Sequence, residues 1–352
     1  MPLTEIDILG KKIGFNNPIF LIAEAGVNHN GELSLAKKMV DIAVDSKVDA
    51  IKFQTFKTEK LILKSTPKAN YQKKDDNDKE DFYNMIKKYE LTRDEFISLN
   101  NYCKKKGIIF LSTPFDEISV EWLDDLNVPA YKVGSGDMNN FPLLKLICSK
   151  RKPILLSTGM ATLKEVKESV EFLKLNNIDD LVIFQCTTNY PAPYEELNLN
   201  VIDTFKQEFP NNIIGFSDHS LDIEASIGAV SKGVKVIEKH FTLNKDMEGP
   251  DHKASLNPEG LRKWVNSIRN IEKAMGNKNK KPTLAELEIA KVARKSIVSL
   301  INIKKGDIFT VKNLTVKRPG NGISPNNYYK ILGRRAKRDI NLDSIINWED
   351  IE

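Results

Sequence analysis

Short apolar, β-branched runs that end in polar residues or glycine recur along the chain. They fall at 20–26 (FLIAEAG), 51–56 (IKFQTF), 108–114 (IIFLSTP), 130–136 (AYKVGSG), 153–159 (PILLSTG), 181–187 (LVIFQCT), 213–219 (IIGFSDH) and 236–242 (VIEKHFT). The runs do not alternate apolar with polar residues, which is the mark of parallel strands buried on both faces. Between them lie segments of helical period, such as 34–46 and 162–176. Ser34 reads as the N-cap of the first, and Thr162 with Glu165 forms a capping box for the second. Strand and helix alternating eight times predict a (β/α)8 TIM barrel.

Four stretches depart from the alternation. The interval 57–95 is long and very polar (KANYQKKDDNDKEDF) and reads as an extended loop near the barrel mouth. Residues 5–20 hold two apolar runs around Gly-Lys-Lys, a hairpin suited to plug the barrel's lower end. Helix 257–276, with Pro258 at its start and Gly276 at its stop, should close a catalytic domain over 1–276. Residues 277–292 read as a linker, and 293–352 as a small β-rich domain with turn signals at KKGD (304–307) and RPGNG (318–322). So slight a module should rest on the barrel or on a partner chain.

Composition narrows the classes. With 352 residues, 41% hydrophobic and 29% charged, the chain suits a globular enzyme of barrel size plus a module. Its 53 basic and 48 acidic residues leave a net charge of only +5, so nothing calls for nucleic acid; the basic runs 277–281 and 334–338 read as solvated surface. Cys103, Cys148 and Cys186 stand alone, which suits a reducing compartment. The charged N-terminus lacks a signal-peptide core and no apolar run reaches ~18 residues, so the expectation is a cytoplasmic protein without a membrane span.

In such a barrel, chemistry gathers at the C-terminal ends of the strands. The ends here carry Glu24; Lys52 and Gln54; Ser112 and Thr113; Lys132, Ser135 and Asp137; Ser157 and Thr158; Gln185, Thr187 and Thr188; Ser217, Asp218 and His219; and Glu238, Lys239 and His240. All four histidines (His29, His219, His240, His252) fall in loops or strand ends. Glu238 and His240 share a direction by strand alternation, and His219 ends the neighbouring strand. Two imidazoles near carboxylates suit an octahedral divalent ion such as Mn2+; a packing role serves the pair equally well at this stage. Hydroxyls and lysines across strands three to seven suggest a phosphate cradle, without a P-loop or Rossmann fingerprint.

The strings IAEAGVNHNG (22–31), KFQTF (52–56), STPFD (112–116), KVGSGDMNN (132–140), STGMAT (157–162), CTTNYPAP (186–193), GFSDHS (215–220), IEKHFT (237–242) and GPDHKASL (249–256) resemble the sialic acid synthase family. The tail, with KKGD and VKRPGNGIS (316–324), resembles that family's antifreeze-like SAF module, a β-clip. The resemblance implies condensation of phosphoenolpyruvate with an open-chain N-acylated mannosamine-type aldose. The product would be N-acetylneuraminate from N-acetylmannosamine or, alternatively, legionaminic acid from 2,4-diacetamido-2,4,6-trideoxymannose. It also implies a divalent metal at His219 and His240, Mn2+ foremost with Mg2+ or Co2+ as alternatives. Thr113, Lys132, Ser135, Ser157 and Ser217 match the phosphoenolpyruvate site. Glu24 and Glu238 match the acids beside the reacting carbons, and Gln54, Tyr190 and Asp251, accompanied by Lys52, match sugar contacts. Arg318 matches an arginine that one subunit's SAF module lends to the other's barrel, which implies a domain-swapped homodimer. Some members read CTNxY where this chain has Thr187-Thr188-Asn189-Tyr190, so either Thr188 or Asn189 takes that contact. Rival readings are a divalent-metal sugar aldolase or isomerase, and a non-catalytic sugar- or ice-binding protein.

Overall fold

The structure, a computed structural model, describes residues 5–67 and 81–352, and the chain divides into two compact units, Met1–Gly276 and Asn277–Glu352. The first opens with an antiparallel hairpin, β1 (Ile6–Ile8) and β2 (Lys11–Ile13). Eight parallel strands follow: β3 (Phe20–Gly26), β4 (Ala50–Thr55), β5 (Ile109–Pro114), β6 (Tyr131–Val133), β7 (Ile154–Ser157), β8 (Leu181–Cys186), β9 (Ile213–Asp218) and β10 (Val236–His240). Their ladder runs β5-β4-β3-β10-β9-β8-β7-β6, a nearly closed barrel with its seam between β5 and β6.

Helices fill the connections. They are α1 (Leu33–Asp45), then α2 (Thr58–Leu61), α3 (Phe82–Lys87) and α4 (Arg93–Lys106) between β4 and β5. Next come α5 (Glu117–Asp125), α6 (Phe141–Ser149), α7 (Leu163–Leu175), α8 (Val201–Glu208), α9 (Glu224–Ser231) and α10 (Pro258–Met275). The Thr162–Glu165 capping box forms at α7, and Asn257 caps α10 with Pro258 in its first turn. Helix α1 begins one residue before Ser34, with Glu32 as a cap that makes no side-chain bond. The polar interval 57–95 holds three helical segments rather than one loop; its stretch 68–80 lies outside the described residues.

Every barrel-strand residue but Gln54 is buried, so both strand faces carry apolar cores. One face packs against the helices: Leu21, Ile51, Ile183 and Ile237 belong to that outer core. The other lines the barrel's lower interior with Phe20, Ile22, Ala50, Ile109, Leu111, Leu155, Val182, Phe184, Ile213 and Val236, and the hairpin's Ile6, Ile8 and Ile13 join the same cluster. The hairpin therefore seals the barrel floor, each isoleucine contributing about 1.5–3 kcal/mol of burial. Asp49 ties this end together: it accepts from the Leu21 amide at 2.9 Å, pairs with Arg269 of α10 at 3.0 Å and with Lys11 at 3.2 Å.

In the second unit, residues 284–293 form a helix, α11 (Leu284–Ala293), within the span read as linker. The physical reason is a capping box, Thr283 with Glu286, at its start. Beyond it, β11 (Ser296–Ser299) pairs antiparallel with β12 (Leu314–Lys317), isolated bridges extend the β structure, and one turn of helix, α12 (Tyr328–Ile331), packs on a small core around Ile297, Phe309 and Ile346. No helix among the described residues is long and apolar enough to cross a membrane.

Candidate active site

Strand alternation carries the interior face upward from the apolar floor. Two residues beyond Ile22, Ala50, Leu111, Ala130, Leu155, Phe184 and Gly215 the same face presents Glu24, Lys52, Thr113, Lys132, Ser157, Cys186 and Ser217; beyond Val236 it presents Glu238. Each strand thus changes from packing to chemistry at one level, and His219, just past the end of β9, and His240, the last residue of β10, stand one step higher. Gly215 keeps that level open: a Cβ there would lie 2.8 Å from the Phe184 ring.

The centre is an ionic cluster. Lys52 Nζ lies 2.7 Å from Glu24 Oε2 and 3.6 Å from Glu238 Oε2, and donates to Thr113 Oγ1 at 3.1 Å. All three charged side chains are at most 5% exposed. Burial, followed by the charge on Glu238, lifts the Glu24 carboxyl to about 7 even though Lys52 pulls the other way. Burial also acts on Glu238, but Lys132, Lys52, His219 and the Ser217 hydroxyl outweigh it and hold that carboxyl below its ordinary value. Two carboxyls sharing one ammonium are therefore driven apart in proton affinity, an arrangement able to serve proton transfer at one and standing charge at the other. For Lys52 burial works against the cation, yet Glu238 and Glu24 keep its pKa raised.

Beside this cluster lies a cradle of donors. Lys132 Nζ donates to Ser157 Oγ at 2.6 Å and lies 4.0 Å from Glu238 Oε1, which accepts from Ser217 Oγ at 3.2 Å. Burial, with Lys52 nearby, lowers the Lys132 pKa against the pull of Glu238. Ser135 stands on a 3-10 turn (Ser135–Asp137), because β6 ends at Val133 rather than running to 136. Its Oγ accepts from the Gly159 amide at 2.9 Å. A Cβ on Gly159 would meet Thr188 Oγ1 at 2.1 Å and Ser135 Oγ at 2.9 Å, so this glycine seats two hydroxyls side by side. Thr188 Oγ1 is buried without a hydrogen-bond partner, whereas Asn189 is tied to Glu196 at 3.2 Å. Of the two residues left open by the sequence, Thr188 is the one whose free oxygen adjoins the cradle.

The histidines close the upper level. The His219 and His240 rings are 5.5 Å apart, and the Tyr190 ring lies tilted 4.2 Å from the first and edge-on 5.4 Å from the second. His219 Nδ1 lies 2.6 Å from the Thr187 carbonyl, which fixes the ring and leaves Nε2 facing Ser217 at 3.3 Å. Burial, then His219 and the neighbouring lysines, push His240 well below its ordinary pKa, so it is a neutral imidazole, and its Nδ1 is buried without a partner. Among the described residues no group of three or more His, Cys, Asp or Glu is arranged to hold a metal ion. The protein's share would be two imidazoles, one with an orphaned nitrogen, and this fits an octahedral divalent ion completed by water and substrate. Gln54 Nε2, Glu24 Oε1 and the His240 ring all lie 3.5–3.6 Å from a Cβ built on Gly26, so they converge on one point. Asp251 senses the charge of His219, while burial raises its carboxyl to about 6.

Several polar strand-end residues serve structure instead. Asp218 and Lys239 point to the helix layer and pair there at 3.1 Å. Thr158 donates to the Phe184 carbonyl and Gln185 to that of Leu197. Ser112 pairs with Thr55. Asn28 bonds the Phe241 carbonyl, and His252 begins a 3-10 turn between Thr242 and Asn30. His29 is fully buried and held to about 4 by burial. Arg318 is exposed in the second unit, in a loop stapled by Ser296, whose Oγ donates to the Pro319 carbonyl and accepts from the Gly322 amide. Cys186, assigned no role from sequence, lies 3.8 Å from both His219 Nδ1 and Ser135 Oγ; its parity with Val182 and Phe184 was the available signal.

Comparison with known proteins agrees with this architecture. Residues 39–280 match the model of the NeuB family and residues 294–352 that of the SAF domain. The chain is 45% identical to the N,N'-diacetyllegionaminic acid synthase of Campylobacter jejuni over 93% of this chain and 98% of that one. It is 41% identical to the enzyme of the same name from Legionella pneumophila, over 97% of each. The crystal structure of N-acetylneuraminic acid synthetase from Leptospira borgpetersenii superposes with a TM-score of 0.72 at 34% identity, covering 82% of this chain and 95% of that one. With matches spanning most of its length, the chain belongs to the NeuB family and ends in a SAF domain.

Proposed function

We propose that this protein condenses phosphoenolpyruvate with the open-chain form of an N-acylated mannosamine-type aldose, adds water and releases phosphate, giving a nine-carbon sugar acid. One observation carries the reading: two buried carboxyls bridged by Lys52 and held at different proton affinities, between a lysine-and-hydroxyl cradle and a pair of imidazoles. Lys132, with Thr113, Ser135, Ser157 and Ser217, takes the phosphate oxygens. Carbon 3 of phosphoenolpyruvate bonds to the aldehyde carbon, and the cation left at carbon 2 is stabilised by ionised Glu238. Water adds at carbon 2, and Glu24, titrating near neutrality, takes the proton it releases and passes it to the former aldehyde oxygen, which becomes a hydroxyl. The resulting phosphohemiketal collapses to the keto acid as its carbon–oxygen bond to phosphate breaks. A divalent cation at His219 and His240, Mn2+ before Mg2+ or Co2+, would supply Lewis-acid polarisation of the aldehyde.

Lys52, Gln54, Tyr190 and Asp251 border the space for the sugar, and the partner subunit's Arg318 reaches its N-acyl group in a domain-swapped homodimer. The exposed Arg318 on its stapled loop supports that role, as do Leu284, Leu287, Ile289 and Val292, which α11 leaves exposed. Three unpaired thiols support a cytoplasmic setting. Between the two acceptors, the 45% and 41% identities to diacetyllegionaminic acid synthases, against 34% to the Leptospira enzyme, favour 2,4-diacetamido-2,4,6-trideoxymannose over N-acetylmannosamine. The test supplies phosphoenolpyruvate and Mn2+ with each aldose and follows phosphate release and product mass. Release with neither sugar, or sugar turnover without phosphoenolpyruvate as an aldolase or isomerase would give, rejects the proposal.

A further inference from the structure

Directly behind the two histidines lies a second charged pair that the reaction does not touch. Asp218 and Lys239 face each other across the β9–β10 ladder, one residue before His219 and His240. Their side chains are 0% and 1% exposed, pointing into the helix layer where every other strand contributes apolar or neutral groups. Stability alone is a poor reason for such a pair, since buried ion pairs rarely outperform apolar packing of the same volume.

Their hydrogen bonds show what they hold. Asp218 Oδ1 accepts from the Ser220 amide at 2.9 Å and the Ser220 hydroxyl at 2.6 Å. Lys239 Nζ donates to the Ser220 carbonyl at 2.7 Å. The amide, hydroxyl and carbonyl of the residue that follows His219 are thus all gripped by one pair whose lysine precedes His240. The second oxygen, Asp218 Oδ2, accepts from Ser226 Oγ of α9 at 2.5 Å, and Ser226 in turn accepts from the Trp264 indole of α10 at 2.8 Å. The pair is anchored to two helices, and it ties the residue after His219 to the residue before His240.

We infer that Asp218 and Lys239 are positioning residues that set the separation and orientation of His219 and His240, and through them the protein's affinity for a divalent cation. This rests on the reading of the two imidazoles as metal ligands. Outer partners that orient ligands typically govern metal affinity by about 10–100-fold.

The test measures Mn2+ binding to the full chain by electron paramagnetic resonance, together with the imidazole 15N resonances of the metal-free protein. His219→Ala should abolish the tight Mn2+ site; if it does not, the metal reading fails, and the resonances alone decide the inference. Lys239→Met should weaken Mn2+ about 10–100-fold and shift the His219 and His240 resonances. The double variant Asp218→Asn/Lys239→Met, which leaves no orphaned buried charge, should do the same should the single variant not fold. A control, Ile268→Val in the outer core, lowers thermal stability without moving either readout. If the double variant loses stability while its Mn2+ affinity stays within twofold and its imidazole resonances are unmoved, the pair is merely structural and the inference is overturned.

Discussion

Glu24 is stored in the site at a cost to the fold, and replacing it should reveal how large that cost is. Its carboxyl rises from an ordinary 4.5 to about 7 in the folded protein. A group whose folded pKa exceeds its unfolded one contributes stability that is complete below the unfolded value and is lost as pH climbs through the folded value. Ionised Glu24 therefore penalises folding increasingly between pH 4.5 and 7, and fully above about pH 8. At 1.36 kcal/mol per unit the penalty is roughly 3 kcal/mol. Glu24→Gln keeps the shape and removes the ionisation. In metal-free protein its melting temperature should match wild type near pH 5 and exceed it at pH 8 by about 6 °C, at about 2 °C per kcal/mol for a unit of this size. The same variant should lose about 10²–10⁴-fold in kcat, the usual worth of a positioned proton carrier. Calorimetry of both proteins at pH 5, 6, 7 and 8 makes the comparison. A melting difference that does not change with pH, or a variant less stable at pH 8, would refute the assignment of a buried, proton-holding Glu24.

Three further outcomes follow from the geometry. Gly159→Ala forces a Cβ onto Thr188 and Ser135, so the KM for phosphoenolpyruvate should rise at least about tenfold, well beyond any change in the KM for the sugar. Asp49→Ala strands the Leu21 amide and removes one partner of Arg269, which keeps Glu272 and the Ile19 carbonyl; unfolding titrations should show a loss of about 1–3 kcal/mol with kcat unchanged, because the site lies at the other end of the strands. Arg318→Ala should raise the KM for the N-acylated sugar while leaving that for phosphoenolpyruvate alone, and mixing it with an inactive Lys132→Met barrel should restore activity if the arginine acts across the dimer.

The strands were legible because residues buried on both faces leave unbroken apolar runs, and the observed limits of β3 and β5 fall within a residue of the runs that predict them. The same property hid which face each polar residue occupies. Asp218 and Lys239 looked as much part of the mouth as Ser217 and Glu238 until the interior parity set by Phe184 and Val236 was known. Helix α11 was missed although Thr283 and Glu286 spelled its cap, because the lysine- and asparagine-rich run before it dominates the local composition. The 3-10 turn at Ser135 cut β6 short at a glycine that the apolar pattern alone cannot read as a stop. Thr188 and Asn189 could not be separated from sequence, since adjacent loop residues diverge only once the backbone path is fixed.

The isoleucine-sealed floor makes the barrel a blind well, and that constrains traffic. Ser217 and Glu238 sit two residues deeper than His219 and His240, about 7 Å down the strand axis. A phosphorylated enol lodged at the deeper tier is covered once an aldose settles over it, so on this reading the enol loads first and the sugar second. If the proposed condensation runs there, phosphate would lie below the new sugar acid, and the larger product would have to clear the opening before the smaller one could leave.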